Sequence, residues 1–177
     1  MLSNIIIRDE APADIEAIGQ ITVAAFATLS VSRHTEQFII AALRRARALS
    51  VSLVAESAGE LIGHIAFSPV VLSDGSAGWY GMGPLSVVPS RQRAGVGTAL
   101  VQAGLARLSG LSAAGCCLVG HPAYYTRFGF RPVPGLSVDG VPDEFFFALS
   151  FGAACPQGRV AFHPAFFADG SSAEDVR

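Results

Sequence analysis

The chain of 177 residues contains no lysine; all 12 of its basic residues are arginines. Chemistry that depends on lysine, whether a Schiff base or a Walker phosphate loop, is therefore excluded. Charge of either sign is scarce, at 15% of residues, and the formal net charge is -2. A nucleic-acid partner, whose phosphates call for a basic excess, is not expected. Cysteine is limited to Cys116, Cys117 and Cys155. Their odd number and the adjacent pair do not suit a disulfide framework, and point to a reducing, cytoplasmic setting. No apolar run reaches ~18 residues, and the start MLSNIIIRDE has no basic region leading into a long apolar one, so neither a membrane span nor an export signal is expected. No His, Cys and carboxylate set has metal-ligand spacing, so no metal is expected.

What is abundant is apolar surface, at 51% of residues. A chain of this length and composition has enough for one well-buried core and too little for two, which predicts a single domain over residues 1–168. The polar stretch DGSSAEDVR, residues 169–177, reads as a flexible tail. Within the domain, Asn4 to Arg8 is short and β-branched. APADIEAIGQITVAAFA then places Ile15, Ile18 and Ile21 on one helical stripe behind Pro12 and Asp14. A second helix is predicted from Thr35 to Ala48, with Phe38, Ile39, Ala42, Leu43 and Ala46 inward and Arg44, Arg45 and Arg47 forming a solvated face. SVSLVAE and ELIGHIAFSPVVL flank Ser57-Ala58-Gly59 as a β-hairpin, and WYGMGPLSVV adds a third strand after the turn SDGSAG.

Val101, Leu105 and Leu108 recur at helical spacing, and CCLVG follows as a short buried strand. A helix between two strands implies a crossover and local parallel pairing. HPAYYTRFGFRP suits a brief helix entered at Pro122 and closed at Gly129. EFFFALSF and GRVAFHPAFF supply two more candidate strands. The fold class is thus α/β of the α+β kind, a mixed central β-sheet flanked by helices.

The stretch VPSRQRAGVGTAL carries the chemistry. A strand that runs into a glycine-rich turn opening a helix presents unpaired N–H groups and the positive end of a helix dipole, which together bind phosphate. A tight turn with solvated arginines explains the same spacing. A Walker loop would need a lysine, and the dinucleotide fingerprint would need glycine at position 100, which is leucine. Gly81, Gly83 and Pro84 interrupt the preceding strand and predict a bulge that frees backbone groups. Free backbone groups beside a pyrophosphate site could pair with an extended amide chain such as pantetheine.

Gln92-Arg93-Ala94-Gly95-Val96-Gly97, preceded by Leu85-Ser86-Val87 and Pro89, resembles the acyl-CoA loop of the GNAT superfamily of N-acetyltransferases, whose pattern is Gln/Arg-x-x-Gly-x-Gly/Ala. Tyr125-Thr126-Arg127-Phe128-Gly129-Phe130 resembles that family's Tyr-x-x-x-Gly-Phe segment. The wider GHPAYYTRFGFRP is similar to a bacterial subgroup of predicted N-acetyltransferases with a longer C-terminal part. The resemblance runs from Ile5 to Phe167. It implies the acyl-CoA N-acyltransferase fold, in the order strand, two helices, three antiparallel strands, helix, strand, helix, two strands. It also implies acetyl-CoA as co-substrate and an amine-bearing small molecule or protein as acceptor.

Carried over by position, Leu85, Ser86 and Val87 would hold pantetheine, and Gln92, Arg93, Ala94, Gly95, Val96, Gly97 and Thr98 would wrap the pyrophosphate. Tyr125 would act as general acid to the CoA thiolate. The strand before the loop has no Asp or Glu to serve as base. His121 could reach the acceptor through water or simply cap the following helix, and His163 is equally ambiguous. His64 reads as a satisfied half-buried histidine, and Glu36 as an acid in a helix's first turn near the acceptor groove. An acyl relay through Cys116 or Cys117, with His121 as base, competes with their reading as small hydrophobes. A non-catalytic acyl-CoA-binding regulatory domain and a nucleotide-binding protein are the rival functions. The apolar C-terminal strands suit a homodimer and core packing alike.

Overall fold

The computed structural model describes residues 4–152 and 154–172. In chain order the elements are β1 (Ile5–Asp9), α1 (Ile15–Phe26), α2 (Glu36–Arg45), β2 (Val51–Ser57), β3 (Glu60–Pro69), β4 (Val71–Leu72), β5 (Trp79–Val87), α3 (Val96–Gly110), β6 (Gly115–Val119), α4 (Pro122–Tyr125), β7 (Leu136–Ser137), β8 (Phe146–Ser150) and β9 (Gly158–Ala161). Six strands form one sheet in the order β1-β2-β3-β5-β6-β8, and β4-β9-β7 form a second, smaller one. The main sheet is mixed: β5 and β6 run parallel across the α3 crossover, and its other neighbours are antiparallel.

The two faces of the sheet follow from strand alternation. Leu53, Ala55, Ile65 and Phe67 pack with Leu100, Val101 and Leu108 of α3 on one face. On the other, Val54 packs with Ile18 of α1 and Ile40 of α2. The helical stripe of α1 is rotated from the expected one: Ile18, Ile21, Thr22 and Ala25 are buried, while Ile15 at the first turn is exposed. The second helix is shorter than Thr35 to Ala48 because Arg47 takes a positive φ of 53° and stops it.

Arg44 also departs from the solvated face predicted for it. Its guanidinium donates through Nε and Nη2 to Glu10, at 3.0 and 2.9 Å, and so ties α2 to the segment after β1. The hairpin at Ser57-Ala58-Gly59 and the third antiparallel strand form as expected. The C-terminal run GRVAFHPAFF does not extend the main sheet. It gives only four strand residues, paired antiparallel with β4 and parallel with β7, before a 3₁₀ turn at Pro164–Phe167. Of the predicted tail, residues 173–177 lie outside the described residues.

Candidate active site

The site begins where the main sheet splits. β5 pairs with β6 only through Trp79, Gly81 and the residue between them, and the pairing ends at Gly81 opposite Cys117. β6 continues along β8 through Leu118 and Val119. β5 continues along β3 but is bulged, since Ile65 faces Leu85 while Phe67 faces Met82, leaving Gly83 and Pro84 opposite the single residue Ala66. The predicted bulge is therefore present at the glycine and proline that suggested it. The Val88 N–H donates to Ile62 of β3. Strand alternation accordingly turns the backbone groups of Leu85 and Val87 away from β3 and into the split. There the Val87 carbonyl accepts from Gln92 Nε2 at 3.1 Å.

The glycine loop closes one end of the split. Gly95 is the residue before α3 and has a left-handed φ of 86°, which a residue with a Cβ adopts only under strain. The Ala99 N–H is bonded to Gly95 O, so the first-turn N–H groups of Val96, Gly97 and Thr98 have no acceptor within the helix. The first turn of this 15-residue helix carries no acid. It therefore offers unopposed positive dipole to an anion.

The opposite wall is the turn after β6. His121 caps α4, its Nδ1 accepting from the Ala123 N–H at 3.2 Å, and Gly129 closes the following 3₁₀ turn with a φ of 93°. Tyr125 packs against Gly120, where a Cβ would meet its ring, and edge-on to Phe130 at 6.5 Å between centroids. Burial, with Tyr124 adjacent, pushes the Tyr125 phenol up to about 12. Tyr124 turns the other way. Its hydroxyl stands over Gly97, its ring is edge-on to Phe128, and Arg127 lies over its face at 4.7 Å.

These walls enclose a cleft of about 1010 Å³. Leu85, Val87, Gln92, Arg93, Gly95, Gly97, Thr98, His121 and Tyr125 all line it. Three other predicted positions present different surfaces. The Ser86 side chain is buried and donates to Thr22 Oγ1 at 3.3 Å, Val96 is buried in the core, and Ala94 is exposed and does not line the cleft. Tyr124, over which the sequence reading preferred Tyr125, lines the cleft as well.

The cap geometry bears on the two histidines. His121 Nδ1 is engaged as the acceptor of the Ala123 N–H, the capping role that the sequence also allowed. His163 makes the same cap on the 3₁₀ turn, its Nδ1 accepting from the Ala165 N–H at 3.1 Å. The motif His-Pro-Ala thus starts a turn on two walls of the cleft. His64 is fully buried rather than half-buried. Its Nε2 lies 2.8 Å from Ser52 Oγ, which donates to Glu10 at 2.6 Å, and its Nδ1 has no partner.

Cys116 and Cys117 are buried, and burial pushes the Cys117 thiol up to about 12 and the Cys116 thiol well above its ordinary value. Neither lines the cleft. Among the described residues no group of three or more His, Cys, Asp and Glu could hold a metal ion, and no helix is long and apolar enough to cross a membrane.

Comparison with known proteins places this geometry. The family model for an acetyltransferase (GNAT) domain matches residues 48–132. The uncharacterized N-acetyltransferase YhbS of Escherichia coli (strain K12) is 34% identical over 127 residues, which are 71% of this chain and 73% of that protein. A crystal structure of a GNAT family acetyltransferase from Brucella melitensis in complex with acetyl-CoA has a TM-score of 0.83 and 47% identity, covering 92% of this chain and 98% of that one. The crystal structure of Escherichia coli YhbS in complex with CoA also has a TM-score of 0.83, at 29% identity, covering 94% of this chain and 93% of that one. With the split sheet, the glycine loop and these relatives together, the chain belongs to the GNAT family of acetyltransferases.

Proposed function

We propose that this protein transfers the acetyl group of acetyl-CoA directly to a primary amine. The observation that carries the reading is the meeting, in one cleft, of an anion-binding helix start, a strand with outward-facing backbone groups and a buried phenol. The acetyl-CoA and CoA held by the Brucella and Escherichia relatives support the choice of donor. The N–H groups at Gly97 and Thr98 would take the pyrophosphate, with Arg93 and Arg127 supplying charge at the rim. Leu85 and Val87 would pair with the amides of pantetheine, Gln92 yielding the Val87 carbonyl.

Direct transfer forms one C–N bond and breaks one C–S bond. The nitrogen sheds a proton and the departing sulfur gains one. Tyr125 keeps its proton throughout the neutral range, which is the state a donor to a thiolate needs. As a weaker acid than a thiol, it hydrogen-bonds to the sulfur while charge builds there, and passes a proton only as another returns to it.

The test is to incubate the protein with acetyl-CoA and a panel of primary amines, following release of free thiol. Amine-dependent release is expected. Tight acetyl-CoA binding with no release for any amine would leave a binding module instead. Thermal stabilisation by ATP or NAD equal to that by CoA would replace the donor.

A further inference from the structure

The cleft is also lined by the end of α1, the start of α2 and the segment after β9. Among the described residues, Glu36 is the one carboxylate lining the cleft. Its Oε1 accepts from the Ser32 hydroxyl at 2.6 Å, and Ser32 Oγ in turn accepts from the His34 N–H at 2.8 Å, so the side chain is held in place. Its Oε2 is buried and has no hydrogen-bond partner among the described residues. A carboxylate oxygen removed from water without a donor is costly, and the cost is recovered only when a donor arrives. Phe26, Leu29, Ile39, Met82, Phe162 and Phe166 give the same cleft an apolar lining.

Resting on the acetyl-transfer reading above, we propose that Glu36 receives the ammonium group of the acceptor, and that the acceptor is a primary amine carried on a compact apolar body. An ammonium supplies what Oε2 lacks, a charge-assisted hydrogen bond. The start of α2 lies at Glu36, so the helix dipole favours the negative partner there. The apolar wall accepts the rest of the molecule. A polyamine or other polycation fits poorly. Its second charge would find no carboxylate in the cleft, where the other charged side chains, Arg93 and Arg127, are themselves cationic.

The experiment is calorimetric titration of the CoA-saturated protein with 2-phenylethylamine, its neutral analogue 2-phenylethanol, and spermidine. The wild type is expected to bind the amine about tenfold or more tighter than the alcohol, and tighter than spermidine. In Glu36→Gln, which keeps an oxygen for Ser32, the advantage of the amine over the alcohol should vanish. Equal binding of amine and alcohol by the wild type, binding of neither, tighter binding of spermidine, or an advantage that survives in Glu36→Gln would each overturn the proposal. The wild-type comparison decides alone should the variant fold poorly. Because the readout is binding, an amine advantage that depends on Glu36, together with no thiol release for any amine of the panel, would overturn the transfer reading and leave this one standing.

Discussion

The hydroxyl of Tyr124 lies 2.7 Å from the place a Cβ on Gly97 would occupy. One turn of backbone at the start of α3 and one phenol from the facing wall are thus fitted to each other. The phenol is braced in turn by Arg127 over its face and by Phe128 and Tyr125 at its edges.

Gly97→Ala is therefore expected to push Tyr124 aside or lift the loop, weakening CoA binding about tenfold or more. The ring carbon that bears the hydroxyl is 3.8 Å away from the same point. Removing only the oxygen with Tyr124→Phe should restore much of the affinity lost by Gly97→Ala, a coupling that a double-mutant cycle measures by calorimetry. Additive effects would show that the two residues do not constrain each other.

Tyr125→Phe should lower kcat about 10²-fold while leaving acetyl-CoA affinity within about twofold, because the ring still fills its place against Gly120 and Phe130. With the phenol at about 12, its ionisation should cause no fall in rate between about pH 7 and about pH 10, which a pH–rate profile checks. An unchanged kcat would remove the role assigned to this hydroxyl.

The buried group of His64, Ser52, Glu10 and Arg44 makes a prediction about stability. Burial, against the pull of Glu10, holds the His64 pKa below its ordinary value. The unfolded chain then takes the proton first, so the stabilisation is full above about pH 6.5 and is lost as pH falls through that value towards the folded one. Burial also opposes the charge on Glu10, but His64 at 3.7 Å and hydrogen bonds from Arg44 and Ser52 outweigh it and hold the carboxyl well below the usual carboxylate range. Its contribution is full above about pH 4.5 and is lost as pH falls further. Melting temperature should accordingly drop in two stages on acidification, and His64→Gln should remove the upper one. A flat profile between about pH 7 and about pH 5 would contradict the buried neutral imidazole.

The long elements and the loop were legible because their signals are local. The hairpin around Ala58, the bulge at Gly83-Pro84 and the helix opened by Gly95 each follow from a few adjacent residues. Strands β4 and β7 are two residues each, too short for any alternation to register. The pairing of Arg44 with Glu10 joins residues 34 positions apart, and no pattern along the chain distinguishes that arginine from Arg45. Glu36 was visible as an acid opening a helix. That one of its oxygens is sequestered without a partner is a property of the packed loop around Ser32.

The short pairing between β5 and β6 has a mechanical consequence. Two slabs, β1-β2-β3-β5 and β6-β8, share a hydrogen-bonded seam only from Trp79 to Gly81, and beyond it they gape like the leaves of a book held at the foot of its spine. Backbone that most sheets spend on a neighbouring strand faces the gutter instead. A guest paired with Leu85 and Val87, as proposed for pantetheine, would complete the sheet and so join the two slabs as well as fill a hole. Each binding event would then close the book along its spine, and each release would open it again.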